Sequence, residues 1–146
     1  PPPLVAERLY INVEGRMSTL PDDFYFSLLS GCYLEMVCFG VRITRFDFSR
    51  PQTFAGVSPY KVSFCVEAGL RYEVDDIVGQ REFNESSTSA PLLNFLLMDV
   101  ESVEEVEPDT LQIIFSTGAK ITIEPAVTDG YESYSIYLDS GEIIIV

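Results

Sequence analysis

Asp99, Glu101, Glu104, Glu105, Glu107 and Asp109 place six carboxylates in the eleven residues "DVESVEEVEPD". Side chains of this type can hold a divalent cation, share a proton as an acid–base pair, or attract a basic partner. A calcium loop needs oxygens at alternating positions and a glycine at its turn. This stretch has no glycine, and Val100, Val103 and Val106 interrupt its oxygens. Asp22-Asp23 and Asp75-Asp76 are adjacent pairs, which a strand sends to opposite faces rather than to one proton. The chain has no histidine, so Ser–His and Cys–His nucleophiles are excluded in their usual form. Cys32, Cys38 and Cys65 lack a CxxC pair and the spacing of a zinc site. They read as buried free thiols of a reducing compartment. The expectation is no catalytic residue, no metal site and no cofactor.

That leaves the carboxylates as a surface. The chain carries 23 acidic and 9 basic residues, a net charge of -14. The imbalance lies in the second half: residues 82–146 contain Lys120 as their one basic residue. Such a field opposes nucleic acid and anionic membrane and favours a cationic protein. Acidity also keeps an apolar β protein soluble, so charge alone does not choose between these roles. No apolar run reaches the roughly 18–20 residues of a membrane helix, and no signal peptide is recognisable. The expected location is cytoplasmic.

The elements that position these residues read mainly as β. "YKVSFCVEAGL" alternates, with Val62, Phe64 and Val66 on one face and Ser63, Cys65 and Glu67 on the other. "VRITRFDF" alternates with a slip between Ile43 and Phe46, which suggests a bulge or bend. Ser116-Thr117-Gly118 and Asp139-Ser140-Gly141 each join two strand-like runs as hairpin turns. One stretch, "STSAPLLNFLLMD", reads as a short helix with Ser89 as cap and Pro91 in its first turn. Residues 79–89 read as a polar surface loop. Val100, Val103 and Val106 either extend the helix or form a bent strand, and their β-branching and Pro108 favour the strand. In both cases the valines face the core and Glu101, Glu104 and Glu105 face water.

The two halves resemble each other. "LEMV" (34–37) matches "VESV" (100–103), "ITRFDFS" (43–49) matches "LQIIFS" (111–116), and "KVSFCVE" (61–67) matches "AKITIE" (119–124). Two three-stranded halves, about 28–78 and 90–146, predict one β-rich domain over residues 17–146, packed as a β-sandwich or partly open barrel. Residues 1–16 read as an N-terminal extension or appended segment, since "MSTLPDDFYF" from Met17 looks like a natural start.

"LSGCYLEMVCFG" (29–40) resembles the Leu-x-Gly-x-x-Leu-x-x-Val-x-x-Gly opening of a family of small, mostly uncharacterised bacterial β-rich proteins. "LQIIFSTG" (111–118), "ITIEP" and "YESYSI" (131–136) are similar to that family's second half. Proteins of this kind often resemble immunity proteins of polymorphic toxin systems. The resemblance therefore implies a non-enzymatic inhibitor that binds a cognate toxin, while the long loop 50–60 departs from the family pattern.

Combined with the charge, this gives an expected partner-binding surface of Glu82, Glu85, Glu101, Glu104, Glu105, Asp109, Tyr131, Glu132 and Tyr134, facing a basic protein. A structural role for the tyrosines competes with it: ring packing with the hydroxyl bonded, and Glu132 paired to Lys120. The alternative functions are a structural domain without ligand, or a barrel binding a small apolar molecule. Phe24, Tyr25, Phe26, Phe46, Phe48 and Phe64 would line that barrel.

Overall fold

The computed structural model describes residues 19–52, 54–126 and 133–146. The expected segment 1–16, Met17, Tyr131 and Glu132 lie outside the described residues. Among the described residues ten strands and three 3-10 turns follow in the order η1 (Phe26–Leu29), β1 (Tyr33–Phe39), β2 (Thr44–Arg50), β3 (Tyr60–Val66), β4 (Leu70–Val74), β5 (Ile77–Gln80), η2 (Ser86–Thr88), η3 (Ala90–Phe95), β6 (Val100–Glu107), β7 (Thr110–Phe115), β8 (Lys120–Ile123), β9 (Tyr134–Tyr137) and β10 (Ile143–Ile145). They form two antiparallel sheets, ordered β1-β2-β3-β9-β10 and β5-β4-β8-β7-β6. The architecture is a β-sandwich, not a closed barrel.

Alternation sets the faces. In β3, Val62, Phe64 and Val66 are buried while Ser63 and Cys65 are partly exposed, as the sequence pattern predicts. Phe46, Phe48, Phe64 and Phe115 are fully buried in one continuous core. The Phe48 ring packs edge-on to Phe64 at 5.7 Å and lies nearly parallel to Phe115 at 6.5 Å. Phe48 thus packs against Phe64 and Phe115 in a filled core, where a barrel would have a lined cavity. Tyr25 and Phe26 are on the surface, 70% and 38% exposed.

Three expectations are corrected locally. The slip between Ile43 and Phe46 arises because Val41 and Ile43 belong to a sharp hairpin turn, closed by Gly40 N–H donating to Ile43 O, and β2 begins only at Thr44. The bulge lies in β1 instead, where pairing shifts between Leu34 and Met36. Ser89 does not cap η3 with its side chain; its hydroxyl accepts a bond from Arg81 Nε. Of the three cysteines, Cys32 is buried, whereas Cys38 and Cys65 are partly exposed; all three are free.

The internal repeat is visible as a two-fold relation. Tyr33 bridges Asp99, a shift of 66 (33 to 99). Beside it Leu34 N–H donates to Met98 O and Val100 N–H donates to Cys32 O. The same shift (32 to 98, 34 to 100) converts one bond into the other, the reciprocity of an isologous contact. Cys32 N–H to Leu29 O and Met98 N–H to Phe95 O, both 3.0 Å, follow the same shift. So do the bulges, at Glu35 in β1 and Glu101 in β6. Each half is more than three strands, however. The first unit forms the meander β1-β2-β3 and lends its hairpin β4-β5 to the other sheet, where β4 pairs with β8. The second forms β6-β7-β8 and lends β9-β10 back, where β9 pairs with β3.

Candidate functional site

The expected surface centres on β6, an edge strand that pairs with β7. A three-residue valine spacing cannot lie on one face of a regular strand. Two register shifts absorb it, one between Val100 and Ser102 and one between Glu105 and Glu107. The first lets Val103 turn inward, opposite Ile113, where it is buried, while Val100 is half-buried. Val106, in the second, is 44% exposed, which corrects the expectation that all three valines face the core.

The glutamates follow from the same register. Glu101, Glu104, Glu105 and Glu107 are all exposed. Glu104 sits opposite Gln112 on the outer face and accepts a long bond from Ser102 Oγ, 3.4 Å. Glu105 bends back to the turn, its Oε2 accepting Asp109 N–H at 2.8 Å. Among the described residues, none of the four is in an ion pair. The charge on this strand is exposed, and no other described residue neutralises it.

Other expected residues do not join this cluster. Asp109 is occupied in holding the strand end: Oδ1 accepts Leu20 N–H at 2.9 Å and its carbonyl accepts the Tyr134 hydroxyl at 2.7 Å. It also takes a left-handed conformation, φ 61°, which aspartate tolerates better than most residues. Tyr134 is fully buried and so presents nothing to a partner. Burial pushes its hydroxyl well above the usual tyrosine range, with Asp109 and Glu105 adding to the shift. This is the structural role that competed with an interface role at the sequence level.

Glu82 and Glu85 follow β5, at the opposite edge of the sheet from β6. They form a small loop of their own, bridged to each other, with Glu82 accepting from Gln80 Nε2. Thr88 closes it, receiving Glu82 N–H at 2.7 Å and donating to Glu85 O at 2.6 Å. The nine expected residues thus do not form one patch. Glu101, Glu104 and Glu105 share β6 with Glu107, with Glu104 opposite Gln112 on the outer face and Glu105 opposite the buried Leu111 on the other.

The residues missed at the sequence level are the serines next to this strand, which stand with Phe26, a residue read there as barrel lining. The η1 turn packs on β6, and a crevice of about 170 Å3 between them is lined by Phe26, Ser27, Ser30, Glu101 and Ser102, among others. The signal was present in "FYFSLLS" as apolar residues broken by serines, but a 3-10 turn is too short to show periodicity.

Elsewhere on the outer face of the first sheet, Arg45 clamps Asp47 with two bonds of 2.8 and 2.9 Å, and Ser63 Oγ adds a third at 2.7 Å. Arg45 stands between Cys38 and Cys65 in the cross-strand row. Burial raises the Cys65 thiol despite that guanidinium, which works against a reactive thiolate. Among the described residues no group of three or more metal-ligating side chains converges. No described helix is long and apolar enough to cross a membrane.

No protein-family model matches the chain, and no curated protein or solved structure matches it either.

Proposed function

We propose that the chain is a non-enzymatic binding protein that holds a basic protein partner against β6. The observation that carries this reading is the run of four exposed glutamates on one edge strand, none in an ion pair among the described residues. An immunity-type inhibitor that covers the active site of a cationic toxin fits such a surface. Unneutralised carboxylates steer a basic partner into encounter and reject acidic competitors, contributing more to rate and specificity than to raw affinity. Charged side chains also guard an edge strand against pairing with another sheet, and the same glutamates serve both ends.

The test is capture of the toxin-like product of a neighbouring gene at low and high salt. Binding should weaken with salt and be lost when Glu101, Glu104 and Glu105 are all changed to Lys. Capture that survives this triple reversal at low salt rules out β6 as the binding surface.

A further inference from the structure

The two units provide an internal comparison. Under the 66-residue shift Glu101 corresponds to Glu35, each at the bulge of its edge strand. In the first unit Glu35 is neutralised by Lys61, Nζ to Oε1 3.3 Å. Lys61 lies across from Ser49, which lies across from Tyr33. In the second unit Asp99 takes the Tyr33 position and Ser116 takes that of Ser49, its N–H donating to Asp99 O. Phe64 pairs with Phe46 as Ile121 pairs with Ile113, so Lys61 corresponds to Gly118 (64 to 121, 61 to 118). The lysine that satisfies Glu35 has no counterpart, and Glu101 is left without an ion pair among the described residues.

The surroundings have diverged in the same direction. The crevice between η1 and β6 is lined by Phe26, by Ser27, Ser30 and Ser102, and, more deeply buried, by the aliphatic Leu29 and Val103, among others. The same shift places Leu93, Leu96 and Met36 at those three serine positions in the related corner, where η3 meets β1. One corner of the molecule is aliphatic, with its glutamate paired internally. The other offers hydroxyls, an aromatic ring and a carboxylate that no other described residue pairs with.

We propose that this crevice receives an arginine side chain of the basic partner, in an ion pair with Glu101 that stands in for the internal pair of Glu35 and Lys61. The inference rests on the basic-partner reading above. A guanidinium suits the site because its flat fork matches a carboxylate, its remaining N–H groups can meet the serine hydroxyls, and its face stacks on Phe26. The ammonium of lysine is compact and more strongly hydrated, and it uses the ring and hydroxyls less fully.

The probe is an octa-arginine peptide titrated against the full chain at low salt by fluorescence anisotropy, with octa-lysine alongside. Glu101→Gln, and separately the pair Ser27→Leu and Ser30→Leu, should each weaken octa-arginine binding by about fivefold or more. Glu35→Gln, at the equivalent bulge, should change it less than about twofold. Octa-lysine should bind more weakly than octa-arginine. Amide NMR spectra of each variant should retain the native dispersion, which separates lost binding from lost folding. Octa-arginine binding that is unaffected by both sets of changes overturns the crevice and leaves the acidic-surface reading standing. Equal affinity for octa-lysine overturns the arginine assignment. No binding of either peptide to the unaltered chain overturns the acidic surface and the crevice with it.

Discussion

Replacing Arg81 should cost more stability than any other single charged residue described. Its guanidinium sits between the sheets as a clasp. Nε donates to Ser89 Oγ, Nη1 to Ile43 O and Thr44 Oγ1, and Nη2 to Gly40 O, all at 2.7 Å. Its charge lies 5.1 Å from the ring centres of both Phe39 and Phe83. Burial lowers its pKa, and no carboxylate among the described residues pairs with it. Arg81 therefore ties the end of β5 to the β1–β2 turn by hydrogen bonds to neutral groups. Bonds to a charged donor contribute about 1.5–3 kcal/mol each before burial of the charge is set against them. Arg81→Met keeps much of the stem packing, relieves the buried charge and lets the turn carbonyls reach water. A net loss of about 3 kcal/mol follows from four bonds so discounted. For a chain of this size that lowers Tm by roughly 9 °C, at about 3 °C per kcal/mol. Arg81→Lys should lose about 2 kcal/mol, because one ammonium cannot reach acceptors on both sides of the fork. Differential scanning calorimetry measures both variants. A fall below about 2 °C for Arg81→Met would refute the clasp.

Tyr134→Phe should cost about 1 kcal/mol in urea unfolding, the net worth of the lost bond to Asp109 O. The raised pKa of Tyr134 also gives a pH signature. Its unfolded form ionises near pH 10 and its folded form does not, so its contribution is fully present below pH 10 and declines as pH rises above it. Burial raises Tyr60 and Tyr72 in the same direction. The urea midpoint should therefore fall between pH 9 and pH 11, less steeply in Tyr134→Phe, and parallel curves would contradict this. Asp76→Gly should stabilise the β4–β5 hairpin by about 1 kcal/mol, because Asp76 holds φ 65° without the freedom of glycine. A lower Tm in that variant would indicate that the aspartate side chain supports the turn.

Strands whose information is local were legible in the sequence. β3 shows clean alternation, and Gly118 and Gly141 take the positive φ that marks their hairpins. The β4–β5 turn was missed because aspartates occupy both left-handed positions, where Asn-Gly is the usual sign. The two-fold repeat was visible in the apolar spacing of β1 to β3 and β6 to β8. The exchange of hairpins was not, since it depends on which sheet edge accepts β4 or β9, a choice made by long-range pairing. The candidate surface was legible only as charge. Glu101, Glu104 and Glu105 could be placed together because they share a strand. Glu82 and Glu85 are close to them in sequence, but sheet order sends them to the far edge. Tyr134 in isolation allowed two readings, a packed ring with a bonded hydroxyl and an interface anchor. Only the fold shows its hydroxyl meeting the Asp109 carbonyl across the core.

The hairpin exchange has a consequence for how the chain reaches its native state. β4 finds its inner neighbour only when Leu70 meets Ile123 and Tyr72 meets Ile121, and β3 is flanked on both sides only when Phe64 meets Ile136. Neither unit can complete its sheet during synthesis of the first half, so Leu70, Tyr72 and Val74 wait with their apolar faces uncovered until β8 has emerged. Closing such long loops before their contacts stabilise anything makes folding slow and all-or-none. The nascent first half is accordingly the stage at which this protein most needs protection from aggregation.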